Sequence, residues 1–98
     1  MNIYRRGVDF ERRVMSYLQA RGWYVTRSAG SHGLVDLVAM RQGEIWLIQN
    51  KISGKNSRYG KEQLMALAKE NNCRAFLASR ESKPPYKLIF DELEVKDG

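Results

Sequence analysis

Apolar residues recur at three- and four-residue intervals near the start of the chain, at Phe10, Val14, Met15, Tyr17 and Leu18. That spacing predicts an amphipathic helix over about 8–21, with Gly22 placed to end it. The pattern then shortens to the alternation of strands. Two short strands are predicted over 23–28 and 35–40, separated by the loop that reads AGSHGL. The RQGE segment at 41–44 is a tight-turn signal and leads into a third strand over 45–50. After a polar loop the helical spacing returns over 61–71, where Leu64, Leu67 and Ala68 form the inward stripe. Two more strands are predicted over 74–79 and 87–90, with the breaker ESKPPY between them. The order is αβββαββ. An apolar sheet face and an apolar helix stripe must bury each other, so the expected fold class is α/β, a mixed central β-sheet flanked by helices.

Polar residues interrupt this pattern in places that need a reason. The third strand runs from Trp46, Leu47 and Ile48 straight into Gln49, Asn50 and Lys51 without a turn residue. Alternation puts Gln49 and Lys51 on one face. Asp36 opens the second strand, where aspartate is disfavoured unless it serves a turn or a ligand. With Met40 facing Ile45 across the hairpin, counting back sets Asp36 opposite Gln49. At about 100° per residue, Glu11 lies between Val14, Leu18 and Met15 on the core-facing stripe of the first helix. A carboxylate suited to the positive end of the helix dipole is the plainer account of Glu11, and a turn residue that of Asp36.

Taken together, these groups suit a hard divalent cation, which prefers oxygen ligands and keeps several waters. Asp36, the side-chain oxygen of Gln49, the carbonyl of Asn50 and Glu11 would form a half-shell. Lys51 beside it would orient or deprotonate an attacking water and stabilise charge building on phosphorus. The chemistry indicated is metal-assisted phosphodiester hydrolysis.

Composition narrows the setting. A chain of 98 residues is expected to form one domain, 1–98, with a modest core to which dimerisation would add stability. The hydrophobic fraction of 43% and charged fraction of 29% fit a folded domain, and no apolar run approaches the roughly 20 residues of a membrane span. No membrane partner is therefore expected. The N-terminus lacks an apolar signal region, so a cytoplasmic setting is expected, nucleoid-associated or, for a viral protein, in the host cytoplasm. Cys73 is the one cysteine, which excludes an internal disulfide and suggests a packing role. The net charge is +6, and residues 1–90 hold 16 basic and 7 acidic groups. Lys51, Lys55, Arg58 and Lys61 follow one another with no acid between them. This excess favours a phosphate-rich partner, with a solvated basic face as the alternative.

The segments RRGVDFERRVMSYLQARGWYVTRSAGS, VDLVA, IQNKIS and YGKEQLMAL resemble the archaeal-type Holliday junction resolvases of the PD-(D/E)XK nuclease superfamily. The likeness runs from Arg5 to about Leu93. It implies a restriction-endonuclease-like core, a homodimer, magnesium with manganese as substitute, and paired incisions in branched DNA such as four-way junctions. On this resemblance Glu11 matches the helix glutamate, Asp36 the motif aspartate, Gln49 the acidic position and Lys51 the lysine of the motif. Ser31 matches a loop serine near the scissile phosphate, and Gln63 a helix glutamine near the active site. Arg5 and Arg6 match a basic pair close to DNA, to which Arg27, Ser31, His32, Lys55, Arg58 and Lys61 are added as DNA-binding candidates. The chain departs from the family pattern in having Val35 for a common proline, a shorter loop before Asp36, and Gln49 for glutamate. Flap-, end- or gap-directed nucleases, and a DNA-binding module with weak catalysis, remain alternatives.

Overall fold

The computed structural model describes residues 3–28, 34–51 and 58–94, with side chains described from Gly7 and from Gly60 in the two helices. Its elements are α1 (Ile3–Gln19), β1 (Tyr24–Arg27), β2 (Leu37–Arg41), β3 (Glu44–Asn50), α2 (Arg58–Glu70), β4 (Arg74–Arg80) and β5 (Leu88–Leu93). The order αβββαββ is the one expected. Both helices begin earlier than the apolar spacing indicates, α1 by five residues. Their first turns carry polar residues such as Arg5, Arg6 and Arg58, which extend a helix without marking it.

Both helices end in the same way. Gly22 stands at φ 89°, Trp23 N–H donates to Leu18 O and Gly22 N–H to Gln19 O. At the end of α2, Asn72 at φ 55° has the same place, with Cys73 N–H donating to Ala68 O and Asn72 N–H to Lys69 O. These are the paired bonds of a Schellman cap, satisfying carbonyls that the last turn leaves open. Cys73 packs partly buried behind its cap, and its thiol donates to Asn71 O at 3.3 Å.

The strands form one sheet in the order β1-β2-β3-β4-β5. All neighbours are antiparallel except β3 and β4, which are parallel and joined through α2. The β2–β3 turn has Gln42 at φ 51° and Gly43 at φ 81°, the left-handed pair of a type I′ hairpin. Its ladder sets Met40 against Ile45 and Leu37 against Ile48, the register expected from the sequence.

The sheet separates two apolar layers. On one face Phe10, Val14 and Leu18 of α1 pack with Trp23, Val25, Leu37, Ala39, Ile48, Phe76 and Ala78. On the other, Leu64 and Ala68 of α2 cover Leu47 and Ala75. Burial at about 25 cal/mol per Å² of apolar surface drives both layers, and it fixes which way each strand residue points. Among the described residues, no helix is long and apolar enough to cross a membrane.

Candidate functional site

Strand β2 starts at Leu37, so Asp36 sits in the bend just before it rather than as its first residue. Two backbone bonds still hold this position to the sheet. Asp36 N–H donates to Ile48 O at 2.9 Å, and Ser28 N–H donates to Asp36 O at 3.0 Å. Freed from the strand's strict alternation, the side chain turns along the sheet end, and Oδ2 accepts the Asn50 N–H at 2.7 Å. A backbone amide at that distance is a strong partner for a carboxylate. Asp36 lies one residue before the last ladder pair, Leu37 with Ile48, and its N–H is bonded to Ile48 O rather than placed in register with Gln49.

The sheet's two layers then sort the remaining residues. Leu47 belongs to the α2 layer and Ile48 to the α1 layer, so Gln49 and Lys51 fall on the α2 side and Asn50 on the α1 side. Lys51 N–H donates to Ala78 O at 2.8 Å, which carries the β3–β4 ladder one residue past the end of β3. Gln49 is the one buried polar residue among those described, 8% exposed. Its amide lies under Gly60 in the first turn of α2, where a β-carbon would come 3.6 Å from Nε2 and 3.8 Å from Oε1. Gln63 and Lys61, both partly buried, follow on the same helix, with Gln63 one turn beyond Gly60.

Electrostatically, Asp36 is the unusual group. Burial pushes its carboxyl above the ordinary aspartate range; the Asn50 N–H and the positive charge of Lys51 pull the other way without cancelling the effect. A carboxylate that costs free energy to ionise in place has much to gain from a cation.

Glu11 is placed differently from the half-shell expected of it. Its carboxylate meets Arg27 Nε at 2.7 Å, with the Glu11 side chain 17% and that of Arg27 57% exposed. The cause is alternation along β1: Val25 points into the α1 layer, and so does Arg27 two residues on. The bridge stands at the same end of the sheet as Asp36, since Arg27 pairs with Leu37. Arg27, expected as a DNA contact, thus carries an internal partner here. Arg5 and Arg6 lie in α1 and Arg58 opens α2, with their side chains outside the description. Ser31, His32 and Lys55 lie outside the described residues altogether.

The donor set fits a hard divalent ion. Asp36 and the Gln49 amide supply oxygens at one strand end; the buried Asn50 Oδ1, which meets no hydrogen-bond donor among the described residues, falls on the opposite, α1 side. No cluster of three His, Cys, Asp or Glu side chains occurs among those residues. Two contributors were missed from sequence. The Asn50 N–H was legible in principle, being next to Gln49 in the register; Gly60 shares a helix face with Gln63 and Leu64.

An α/β core with a carboxylate, an amide and a lysine gathered where parallel strands β3 and β4 end defines a protein with a nuclease-like core. The sequence model of the archaeal Holliday junction resolvase (Hjc) family matches residues 2–97, and the chain belongs to that family. It is 46% identical over 56 residues to the crossover junction endodeoxyribonuclease Hjc of Methanocaldococcus jannaschii. That match covers 57% of this chain and 41% of the relative, so the matched part is less than half of that protein's length. The fold is similar to the structure of Archaeoglobus fulgidus Hjc, a Holliday junction resolvase from an archaeal hyperthermophile. The TM-score is 0.72 and the identity 26%, over 86% of this chain and 73% of that one. Membership of this nuclease family implies use of a divalent metal ion.

Proposed function

We propose that this chain is a metal-dependent endonuclease that hydrolyses phosphodiester bonds in branched DNA. Four-way junctions are its favoured substrate, resolved by paired incisions from a homodimer. The observation that carries this reading is the Asp36 carboxylate, fixed by the Asn50 N–H at 2.7 Å, raised in pKa by burial and within reach of the Lys51 charge. Family membership supports the same reading.

In this proposal Asp36 and Gln49 hold a magnesium ion, or manganese in its place, with the Asn50 carbonyl and Glu11 completing the protein's share. The ion, when bound, polarises the phosphate and makes water more acidic. Lys51 positions the attacking water and stabilises charge on the phosphate oxygens. Arg27 exchanges Glu11 for a DNA phosphate, which leaves the Glu11 carboxylate facing the site. Ser31 and Gln63 border the scissile phosphate, and Arg5, Arg6, His32, Lys55, Arg58 and Lys61 contact the backbone. Two equivalent sites in a symmetric dimer suit the near-symmetry of a four-way junction.

The test is cleavage of end-labelled four-way, flap and linear DNA with and without magnesium or manganese, alongside Asp36→Ala. Ion-dependent cutting of the junction in preference to the other forms is expected. Asp36→Ala should lower the rate by about a thousandfold, the scale of losing a group that organises transition-state charge. Equal cutting by this variant would reject the site, and light scattering showing only monomers would reject the dimer. A second reading, a DNA-binding module with weak catalysis, is favoured by one feature: an amide, Gln49, stands where the family motif carries an acid. Binding without cleavage in either ion would select it.

A further inference from the structure

The segment between β4 and β5 contributes nothing to the site described above, yet it is built with care. Because β4 runs parallel to β3, its last residue, Arg80, lies about 7 Å past the Asn50–Ala78 pair, at two residues of strand rise. The hairpin Glu81–Lys87 therefore overhangs the same end of the sheet as Asp36 and Lys51. It is closed by Glu81 N–H donating to Lys87 O at 2.9 Å and Lys87 N–H to the Glu81 carboxylate at 3.1 Å.

Tyr86 is the exceptional residue of this hairpin. It holds φ 57°, a left-handed conformation unfavourable for a bulky side chain, although it is 39% exposed and fills no core space. Three contacts keep it there. Its N–H donates to Lys83 O at 2.9 Å, its carbonyl accepts Arg13 Nη2 from α1 at 2.7 Å, and the Arg80 guanidinium lies 4.7 Å from its ring centroid.

Between this hairpin and α1 lies an open groove of about 560 Å³, lined by Arg13, Ser16, Tyr17, Lys87 and Leu88. Its lining brings together two cations, a hydroxyl, an aromatic ring and an aliphatic chain, and the Arg21 guanidinium lies 3.5 Å from the centroid of the Tyr17 ring. Lys83 stands exposed at the hairpin tip. The nearby acids are Glu81, engaged by the hairpin's own backbone, and Asp9, exposed one turn before Arg13.

A lining that mixes cations with apolar groups matches a nucleic-acid strand, which offers both phosphates and sugars. The groove lies on the α1 face of the sheet, with β5 two strand spacings, about 10 Å, from β3 and three from β2, so it is set to the side of the lysine and carboxylate and across the sheet from Gln49. We infer that the α1–β5 groove and its hairpin form a second DNA-backbone contact, gripping a duplex arm beside the one being cut. This rests on the nuclease reading above and extends it by naming where the second arm lies.

The experiment measures binding of a fluorescent four-way junction by the intact protein, in calcium to prevent cutting, over a range of salt. Lys83→Ala with Lys87→Ala should weaken binding about tenfold and lessen the slope of log affinity against log salt by about 2, near 0.9 for each phosphate contact. Tyr86→Gly, where glycine adopts the left-handed conformation freely, should weaken binding while the melting temperature holds or rises. Lys69→Ala, an exposed cation on α2, is the control and should leave the slope alone. An unchanged slope in the double variant, or an equal drop in the control, overturns the groove while wild-type cleavage leaves the nuclease reading standing. A wild type that binds no DNA overturns both.

Discussion

The two ends of the sheet handle charge in opposite ways. At the end where β3 and β4 begin, Arg74 donates to Glu92 at 2.6 and 2.7 Å and also to Glu44, which accepts the Trp46 indole N–H at 3.0 Å. Both carboxyls are held below the ordinary glutamate range, Glu44 by Trp46 and then Arg74, Glu92 by Arg74. Arg41, close by, donates to Arg21 O at 2.8 Å and lies over the Trp23 ring. At the other end Asp36 is held above its ordinary range by burial. The first end is electrostatically complete and serves the fold. The second carries an unmet demand for positive charge, which is what a site for a cation requires before the cation arrives.

The sharpest way to test this contrast is to add charge to the demanding end. Gln49→Glu puts a second carboxylate at the same end of the sheet as Asp36, so the magnesium needed for half-maximal cleavage should fall by about tenfold, as each added ligand charge strengthens a hard-cation site. The same variant should unfold at lower urea concentration without metal. An unchanged metal requirement would mean that the Gln49 side chain is no ligand.

Removing charge should do the reverse. Asp36→Asn is expected to abolish cleavage yet stabilise the metal-free protein at neutral pH, by about 1 kcal/mol or less because water reaches the half-buried group. A raised carboxyl pKa means that the folded state favours the protonated form. Its contribution is complete below the ordinary aspartate value and is lost as pH rises through the raised one. The advantage of the Asn variant should therefore appear above the raised pKa and vanish in acid. Urea unfolding of both proteins across pH reads this directly, and a less stable Asn variant at neutral pH would contradict it.

Gly60→Ala tests the packing over Gln49. A β-carbon there meets the amide at ordinary van der Waals distance, and glycine in a helix is unfavourable, so a gain of roughly 0.5–1 kcal/mol in unfolding free energy is expected. A loss would show that the first turn of α2 presses closer on the amide.

The smallest effect belongs to the complete end. Arg74→Met should lower the melting temperature modestly at neutral pH and leave cleavage unchanged. Lowered carboxyl values give stability that is present above the ordinary glutamate range and lost as pH falls through the lowered ones. The wild-type and variant curves should thus converge in acid, and parallel curves would show that the Arg74 network contributes nothing.

Local pattern accounts for most of what the sequence foretold. The αβββαββ order, the RQGE turn and the Met40–Ile45 register depend on neighbours in the chain, whereas the ladder stops at Leu37 with Ile48 and Asp36 bonds Ile48 O just before it. The early starts of α1 and α2 add too few apolar positions, Ile3, Tyr4 and Tyr59, to set a helical period on their own. The Glu11–Arg27 bridge and the place of the Glu81–Lys87 hairpin depend instead on how α1 lies over β1 and on β4 being parallel to β3. Both are relations between distant segments that periodicity does not encode.

The single parallel ladder has a kinetic consequence. Strands β1, β2 and β3 form a meander closed by short-range contacts, and β4 and β5 form a hairpin of their own, so each half can order early. The Asp36–Asn50 bond belongs wholly to the first half. Lys51, by contrast, is fixed by its bond to Ala78, which exists only after the chain has closed the long loop through α2. The lysine is therefore among the last parts to be locked, and a nascent chain still emerging at β4 would hold the Asp36 carboxylate in place before the backbone of Lys51 is fixed.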